Sequence, residues 1–239
     1  MRRFLTLLLG VLAFIGQAHA YRPFDGTNAG VADVGELELE LQPAGLLHEP
    51  PQTFLVAPSS VVSLGVAEGW EVNAQSQLET PVGHGASFLA GTGVFAKHVL
   101  RDGFMQEKEG PSIATEFGVI VPEFHGASNV GTSADLILSL GGSWGAVHFN
   151  LQPEITARQH ADLFLDAIIE GPGAWKVRPV AELFVNRDFA GPLERSALIG
   201  AIWQVKDQLS VDVALRGARL DAHDSAEIRA GFTYAFTLW

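Results

Sequence analysis

Glu36-Leu37-Glu38-Leu39-Glu40-Leu41 alternates glutamate with leucine without a break. Successive side chains of a strand point to opposite faces, so this stretch predicts a strand with one charged face and one apolar face. The same period of two returns in His148-Phe149-Asn150-Leu151-Gln152 and in Ser210-Val211-Asp212-Val213-Ala214-Leu215-Arg216. When the polar face carries Glu, Asp and Arg along most of a chain, little apolar surface is left to bury inside. The apolar face then looks outward, where only lipid makes it stable. The pattern predicts an all-β protein, an antiparallel up-and-down transmembrane β-barrel of the bacterial outer membrane.

The start of the chain agrees. Arg2-Arg3 precede an apolar run at 4–15, and Ala18-His19-Ala20 places small residues at the two positions a signal peptidase reads. This predicts export with cleavage after Ala20. The run is shorter than the roughly 20 residues of a membrane span, and the well-placed small-x-small site favours cleavage over the alternative of a signal anchor. The chain has no cysteine, hence no disulfide, no cysteine zinc site and no lipid-modified terminal cysteine. After Tyr21 no stretch approaches roughly 18 consecutive apolar residues, so a closed barrel is the remaining way to cross a membrane. Loss of Arg2 and Arg3 takes the formal charge from −12 to −14. That acidity argues against nucleic acid as a partner, because phosphates need a basic surface. Residues 21–239 read as one domain, with 21–34 as a periplasmic or lumenal segment ahead of the first strand.

Twelve strands can be marked: 35–42, 53–65, 69–80, 85–98, 111–122, 132–142, 145–156, 161–170, 175–187, 194–205, 208–219 and 226–238. Most reach the about 9–11 residues that cross an outer membrane when tilted. An even count with short periplasmic turns and longer outer loops is the bacterial rule. With both termini in the periplasm, the even connections should be tight. Val66-Ala67-Glu68, Gly142-Ser143-Trp144, Gly171-Pro172-Gly173-Ala174 and Lys206-Asp207 fit; the fourth connection, 99–110, is too long. Odd connections such as 123–131 and 188–193 read as longer loops.

With the apolar positions facing lipid, the opposite positions line the lumen. The expected lining includes Glu71, Glu116, His148, Asn150, Glu154, Arg178, Glu182, Asn186, Asp212, Arg216 and Arg229, along with Glu36, Glu38 and Glu40. A carboxylate facing lipid is costly, which forces this phase wherever Glu or Asp sits mid-strand. Two uses of these charges compete. In one, Arg178, Arg216 and Arg229 neutralise Glu182, Asp212 and Glu116 in a packed polar interior. In the other, the acidic excess is a selectivity lining that favours cations or neutral solutes. Two tyrosines are few for interfacial girdles; five tryptophans, among them Trp70, Trp144 and Trp175 near predicted turns, compensate in part.

Phe232, Tyr234 and Phe236 recur with period two, and the chain finishes Thr237-Leu238-Trp239. This resembles the carboxy-terminal signal read by the outer-membrane assembly machinery, with Trp239 out of phase. Three longer stretches carry a family likeness: Leu64-Gly65-Val66-Ala67-Glu68-Gly69-Trp70-Glu71-Val72, Gly110-Pro111-Ser112-Ile113-Ala114-Thr115-Glu116-Phe117-Gly118, and Trp203-Gln204-Val205-Lys206-Asp207-Gln208-Leu209-Ser210-Val211-Asp212. Together they resemble the outer-membrane family of the phenol-degradation meta pathway, transporter β-barrels. The resemblance implies fold and compartment, and a channel or transporter for small solutes, hydrophobic or aromatic ones among them. It supplies no catalytic residues.

The expected partners are outer-membrane lipid, the assembly machinery and a small-molecule solute; no cofactor or metal is implied. Alternatives are a structural or adhesive barrel that presents its outer loops, a lipid-modifying enzyme of the outer membrane, and a soluble periplasmic β-sandwich or lipocalin-like barrel with its apolar face inward. An enzyme would need a serine beside a histidine and an orienting acid. His84, His98, His125, His148, His160 and His223 show no spacing that suggests a triad or a metal site.

Overall fold

The computed structural model describes residues 22–121, 130–156 and 161–239. The expected signal segment and Tyr21 lie outside the described residues, as do most of the fifth connection with His125, and His160. Twelve strands run β1 Glu36–Glu49, β2 Gln52–Ala67, β3 Trp70–Pro81, β4 Phe88–Arg101, β5 Ser112–Ile120, β6 Gly131–Gly142, β7 Gly145–Thr156, β8 Ala161–Glu170, β9 Val177–Asp188, β10 Leu193–Lys206, β11 Leu209–Leu220 and β12 His223–Thr237. Each pairs antiparallel with its sequence neighbours, and β1 pairs with β12 to close the ring. A closed ring leaves no sheet edge, so every ladder N–H and C=O has a partner without water.

β1 extends seven residues past its predicted end, while β2 keeps nearly its predicted bounds. Pro43 and Pro58, which lack an N–H to give to a ladder, fall at breaks in register, Leu41/Ala44 and Val56/Ser59. The extra residue at each bulge lets the strand continue. The first connection therefore shrinks to Pro50-Pro51, and the eleventh to Asp221-Ala222. The expectation of longer odd connections fails at these two, because strand takes up the chain that loop was to use.

The two ends of the barrel differ. The near end holds Glu36, Thr237 and the even connections; the far end holds the odd ones. Four near connections are short, and the fourth is the long exception that the sequence showed. It runs from Asp102 to Pro111 with a 3₁₀ turn at Phe104–Gln106, and folds inward against β5 and β6.

Outside and inside are inverted relative to a soluble protein. Outward positions carry Val72, Val94, Phe117, Leu136, Phe149, Leu165, Leu183, Ile199, Val213 and Ile228, all exposed. Inward positions bury Glu38, Glu40, Glu71, Lys97, Asn150, Glu182 and Asp212. An apolar patch this continuous is unstable in water and natural in lipid. All five tryptophans, Trp70, Trp144, Trp175, Trp203 and Trp239, lie exposed at the near end. They form a one-sided interfacial belt, the place where an amphipathic ring sits best.

Candidate functional site

The lumen is occupied by the segment that precedes the first strand. Residues 22–35 form no strand, and they cross the barrel interior before entering β1. This strap is held almost wholly by side chains of the wall. Arg22 reaches Asp212 on β11 at 3.3 Å and donates to Gln42 Oε1 on β1 at 2.9 Å. The N–H groups of Asp25 and Gly26 donate to Glu182 on β9 at 2.9 and 2.8 Å. Thr27 N–H donates to Asn150 Oδ1 at 3.2 Å, and Asn150 Nδ2 donates back to the Thr27 carbonyl at 3.0 Å. Further along, Ala29 N–H donates to Ser139 Oγ at 2.9 Å and Ala32 N–H to Glu71 Oε2 at 2.8 Å. Gln106 of the inward-folded connection donates to the Ala29 carbonyl at 2.9 Å. These contacts answer the requirement that buried backbone groups be paired.

Beside the strap, charges are traded between it and the wall. Asp25 receives Arg229 at 2.8 Å and Arg216 at 3.4 Å. Burial opposes the charged form of Asp25, and the two guanidiniums overcome it and hold the carboxyl below the usual carboxylate range. Arg229 also meets Glu227 at 2.9 Å, and Arg216 meets Glu194. Close approach requires glycine at two wall positions. A Cβ at Gly65 would stand 2.0 Å from the Asp33 carbonyl, and one at Gly231 would stand 2.4 Å from Arg22 Nε.

Every residue of the expected lining turns inward, but the expected pairings do not form. Arg178 lies 3.7 Å from Glu170, while Arg216 and Arg229 go to Asp25 and Glu227. Asp212 takes Arg22, Glu182 takes strap N–H groups, and Glu116 accepts from Asn73 at 2.7 Å. Glu154 and Asn186 stand together near the far mouth, around a cavity of about 430 Å³ that Asp25, Asp162 and Glu194 also line. The lumen is not polar throughout: Ile137, Ile168, Leu198 and Ile202 are buried, and Ala29 of the strap packs with Ala114 and Ile137.

His148 has neighbours that sequence spacing did not bring together. Its Nδ1 lies 2.7 Å from Ser139 Oγ, and its Nε2 lies 3.2 Å from Glu170 Oε1. A serine, a histidine and an acid are thus adjacent, but Nε2 and Glu170 are not aligned as a hydrogen bond. Ser139 is fully buried and its Oγ already accepts from Ala29. Its neighbours on β6 lie in register with both β5 and β7, which engages their backbone groups in the ladders. The cluster brackets the strap. Among the described residues no group of His, Asp and Glu has the arrangement of a metal site.

On the far side of the strap a cavity of about 280 Å³ remains. Amides and hydroxyls of β2 and β3 line one side: Ser59, Ser60, Asn73, Gln75, Ser76 and Gln77. Glu40, Glu116, Asp135, Glu227 and Asp25 oppose Arg22 and Arg229 around it, an acidic excess.

Compared by sequence, the chain matches no protein-family model and no curated protein. Its fold is that of solved outer-membrane porins. The KdgM porin superposes with a TM-score of 0.57 at 12% identity, over 84% of this chain and 99% of that one. The NanC porin gives 0.60 at 8% identity, over 83% and 98%. The KdgM porin solved with disordered oligogalacturonate gives 0.57 at 13% identity, again over 84% and 99%. At such identities the likeness is one of architecture: a closed outer-membrane barrel of porin type.

Proposed function

We propose that this protein is an outer-membrane channel of porin type, closed at rest by its own strap, that passes small polar solutes when the strap moves. The observation that carries this reading is the polar lumen inside a ring of outward apolar side chains, with an open cavity against a strap that no strand ladder fixes. The likeness to the KdgM and NanC porins supports a channel. The one-sided tryptophan belt supports placing the near end, with the start of β1 and the end of β12, at the periplasmic interface.

The expected preference for hydrophobic or aromatic solutes finds little support in the cavity of about 280 Å³, where Phe24 and Phe95 stand among mostly polar and charged residues. The KdgM porin is known with an oligogalacturonate, a polyanion, whereas the acidic excess here disfavours anions. Neutral and cationic solutes fit better. An adhesive role loses support from the two-residue first and eleventh connections.

Reconstitution in planar bilayers tests the proposal. Rare, brief openings with a reversal potential on the cation side of a salt gradient are expected. A barrel that never conducts at any voltage, even after the strap is loosened, would refute it.

A further inference from the structure

The strap is held in a way that describes a ligand. Five of its main-chain N–H groups, at Asp25, Gly26, Thr27, Ala29 and Ala32, and three of its carbonyls, at Pro23, Thr27 and Ala29, are taken by side chains of the wall or of the inward-folded connection. Contact with the ladder is confined to its last residues, where Val34 bridges Gly65 and Gly35 N–H donates to the Gly65 carbonyl. The strap is therefore not an added strand, the usual way a sheet takes up a peptide. Side chains reading main-chain groups are reading what every peptide has in common. Two charged strap residues meet opposite charges on the wall, Arg22 at Asp212 and Asp25 at Arg229 and Arg216, and Lys97 donates to the Thr27 hydroxyl at 3.1 Å.

We infer that the lumen is a binding channel for short peptides, and that residues 22–33 are its built-in occupant. This rests on the channel reading above and names its solute class. The wall offers acceptors at the height of the strap's N–H groups and donors at the height of its carbonyls. An oligosaccharide offers hydroxyls in place of alternating N–H and C=O, and a simple cation supplies no acceptor for the N–H groups of Arg229, Asn150 and Gln106 that face the strap carbonyls. An uncharged peptide backbone satisfies both sets, and the balanced charge sites admit a basic and an acidic side chain three residues apart. The strap and a free peptide then compete for the same groups. Cargo is admitted in proportion to its success in displacing a tethered rival, which has the advantage of high effective concentration.

The same contacts would also serve a permanent plug, so the test must show exchange. The full-length protein in detergent is titrated with a fluorescein-labelled peptide of sequence Arg-Pro-Phe-Asp-Gly-Thr-Asn-Ala-Gly-Val-Ala-Asp, followed by anisotropy. The wild-type chain is compared with the double variant Arg22→Ala/Asp25→Ala, whose strap keeps its main chain but loses both charge contacts. The variant should bind at least about tenfold more tightly than the wild type, the factor that corresponds to about 1.4 kcal/mol of lost competition. N-methylation of the peptide at the places matching Gly26, Thr27, Ala29 and Ala32 should abolish binding. An unrelated dodecapeptide should compete, and maltohexaose should not.

Absence of binding to the variant, equal binding of the N-methylated peptide, or equal competition by maltohexaose would each overturn the inference. If the double variant does not migrate as a heat-modifiable barrel, the same titration on Asp25→Ala alone decides, since that change removes the strap's contacts with Arg229 and Arg216 and leaves the wall intact. Conductance recorded on the same preparation separates the two readings. Peptide binding without conductance refutes the channel and leaves the peptide site; conductance without peptide binding does the reverse.

Discussion

Gly231→Val should unseat the leading end of the strap while leaving the barrel intact. Gly231 lies on β12 opposite Asp212, facing the lumen, and a Cβ there would stand 2.4 Å from Arg22 Nε and 2.7 Å from its Cζ. Valine suits a strand and its N–H and C=O can stay in the ladder, so the clash falls on Arg22. Arg22 then leaves Asp212 and Gln42. Removing one partner of a fully buried ion pair costs about 3–5 kcal/mol. Here the vacated space joins the cavity of about 280 Å³ that Arg22 lines, so water can rehydrate Asp212. The scale for a single charge-assisted hydrogen bond, about 1.5–3 kcal/mol, is therefore the better one. At 1.4 kcal/mol per tenfold, the population with the leading end free rises by about 10- to 150-fold. Single-channel recording on the full chain should show this as far more frequent, short partial openings, because the Asp25 cluster still holds the strap further along. Arg22→Ala deletes the same contacts, so the double variant should gate within about twofold of Arg22→Ala alone, as expected for coupled positions. Unchanged gating in Gly231→Val, or additive effects in the double variant, would refute the reasoning.

Two other substitutions probe different parts of the argument. Ser139→Ala removes the acceptor of the Ala29 N–H in a buried setting, a loss of about 1–3 kcal/mol, and should raise open probability by about tenfold. A fluorophosphonate probe should label neither the wild type nor this variant; labelling of Ser139 in the wild type would make it a nucleophile and not a strap bracket. Leu183→Arg, at an outward position in the middle of β9 that is 63% exposed, puts a charge into the bilayer and should destabilise folding by about 2–4 kcal/mol. Urea unfolding in phospholipid vesicles measures it, and a loss below about 0.5 kcal/mol would contradict the lipid-facing assignment.

The strand phase was legible because a period of two survives any register: Glu36, Glu38 and Glu40 must share a face whatever pairs with β1. Which charge meets which was not. The anticipated pairs of Arg178 with Glu182 and of Asp212 with Arg216 lie four residues apart, a spacing that brings side chains together on a helix. Along a strand it separates them by about 13 Å, at about 3.3 Å per residue. Charges in a sheet meet across strands or two residues apart on one face, as Glu227 and Arg229 do, and cross-strand neighbours follow from a register that depends on bulges. The breaks at Pro43 and Pro58 could have been anticipated, since a proline within a β segment marks a bulge or an edge, and a closed barrel has no edge. The strap offered no such signal. Residues 22–35 have neither period, and their place follows from wall groups scattered between Gln42 and Arg229.

The strap also changes what the acidic lining means. Read strand by strand, Glu71, Glu182 and Asp212 are surplus negative charge in a pore. In the folded molecule each is engaged by the strap, two through N–H groups and one through Arg22. The strap itself brings Asp25 to Arg216 and Arg229, so seating it converts a charged lumen into one whose charges largely face partners. The same groups that would select a solute thus hold the closed state shut. A solute that opens the channel must replace what the strap supplies to these groups, since a species that leaves them unpaired meets their desolvation cost in full. Selectivity and gating are then one equilibrium. Substitutions at Glu182, Asp212 or Arg229 should shift both together, while substitutions on the amide and hydroxyl side at Ser60, Gln75 or Gln77, which the strap does not engage, should alter solute preference with gating unchanged.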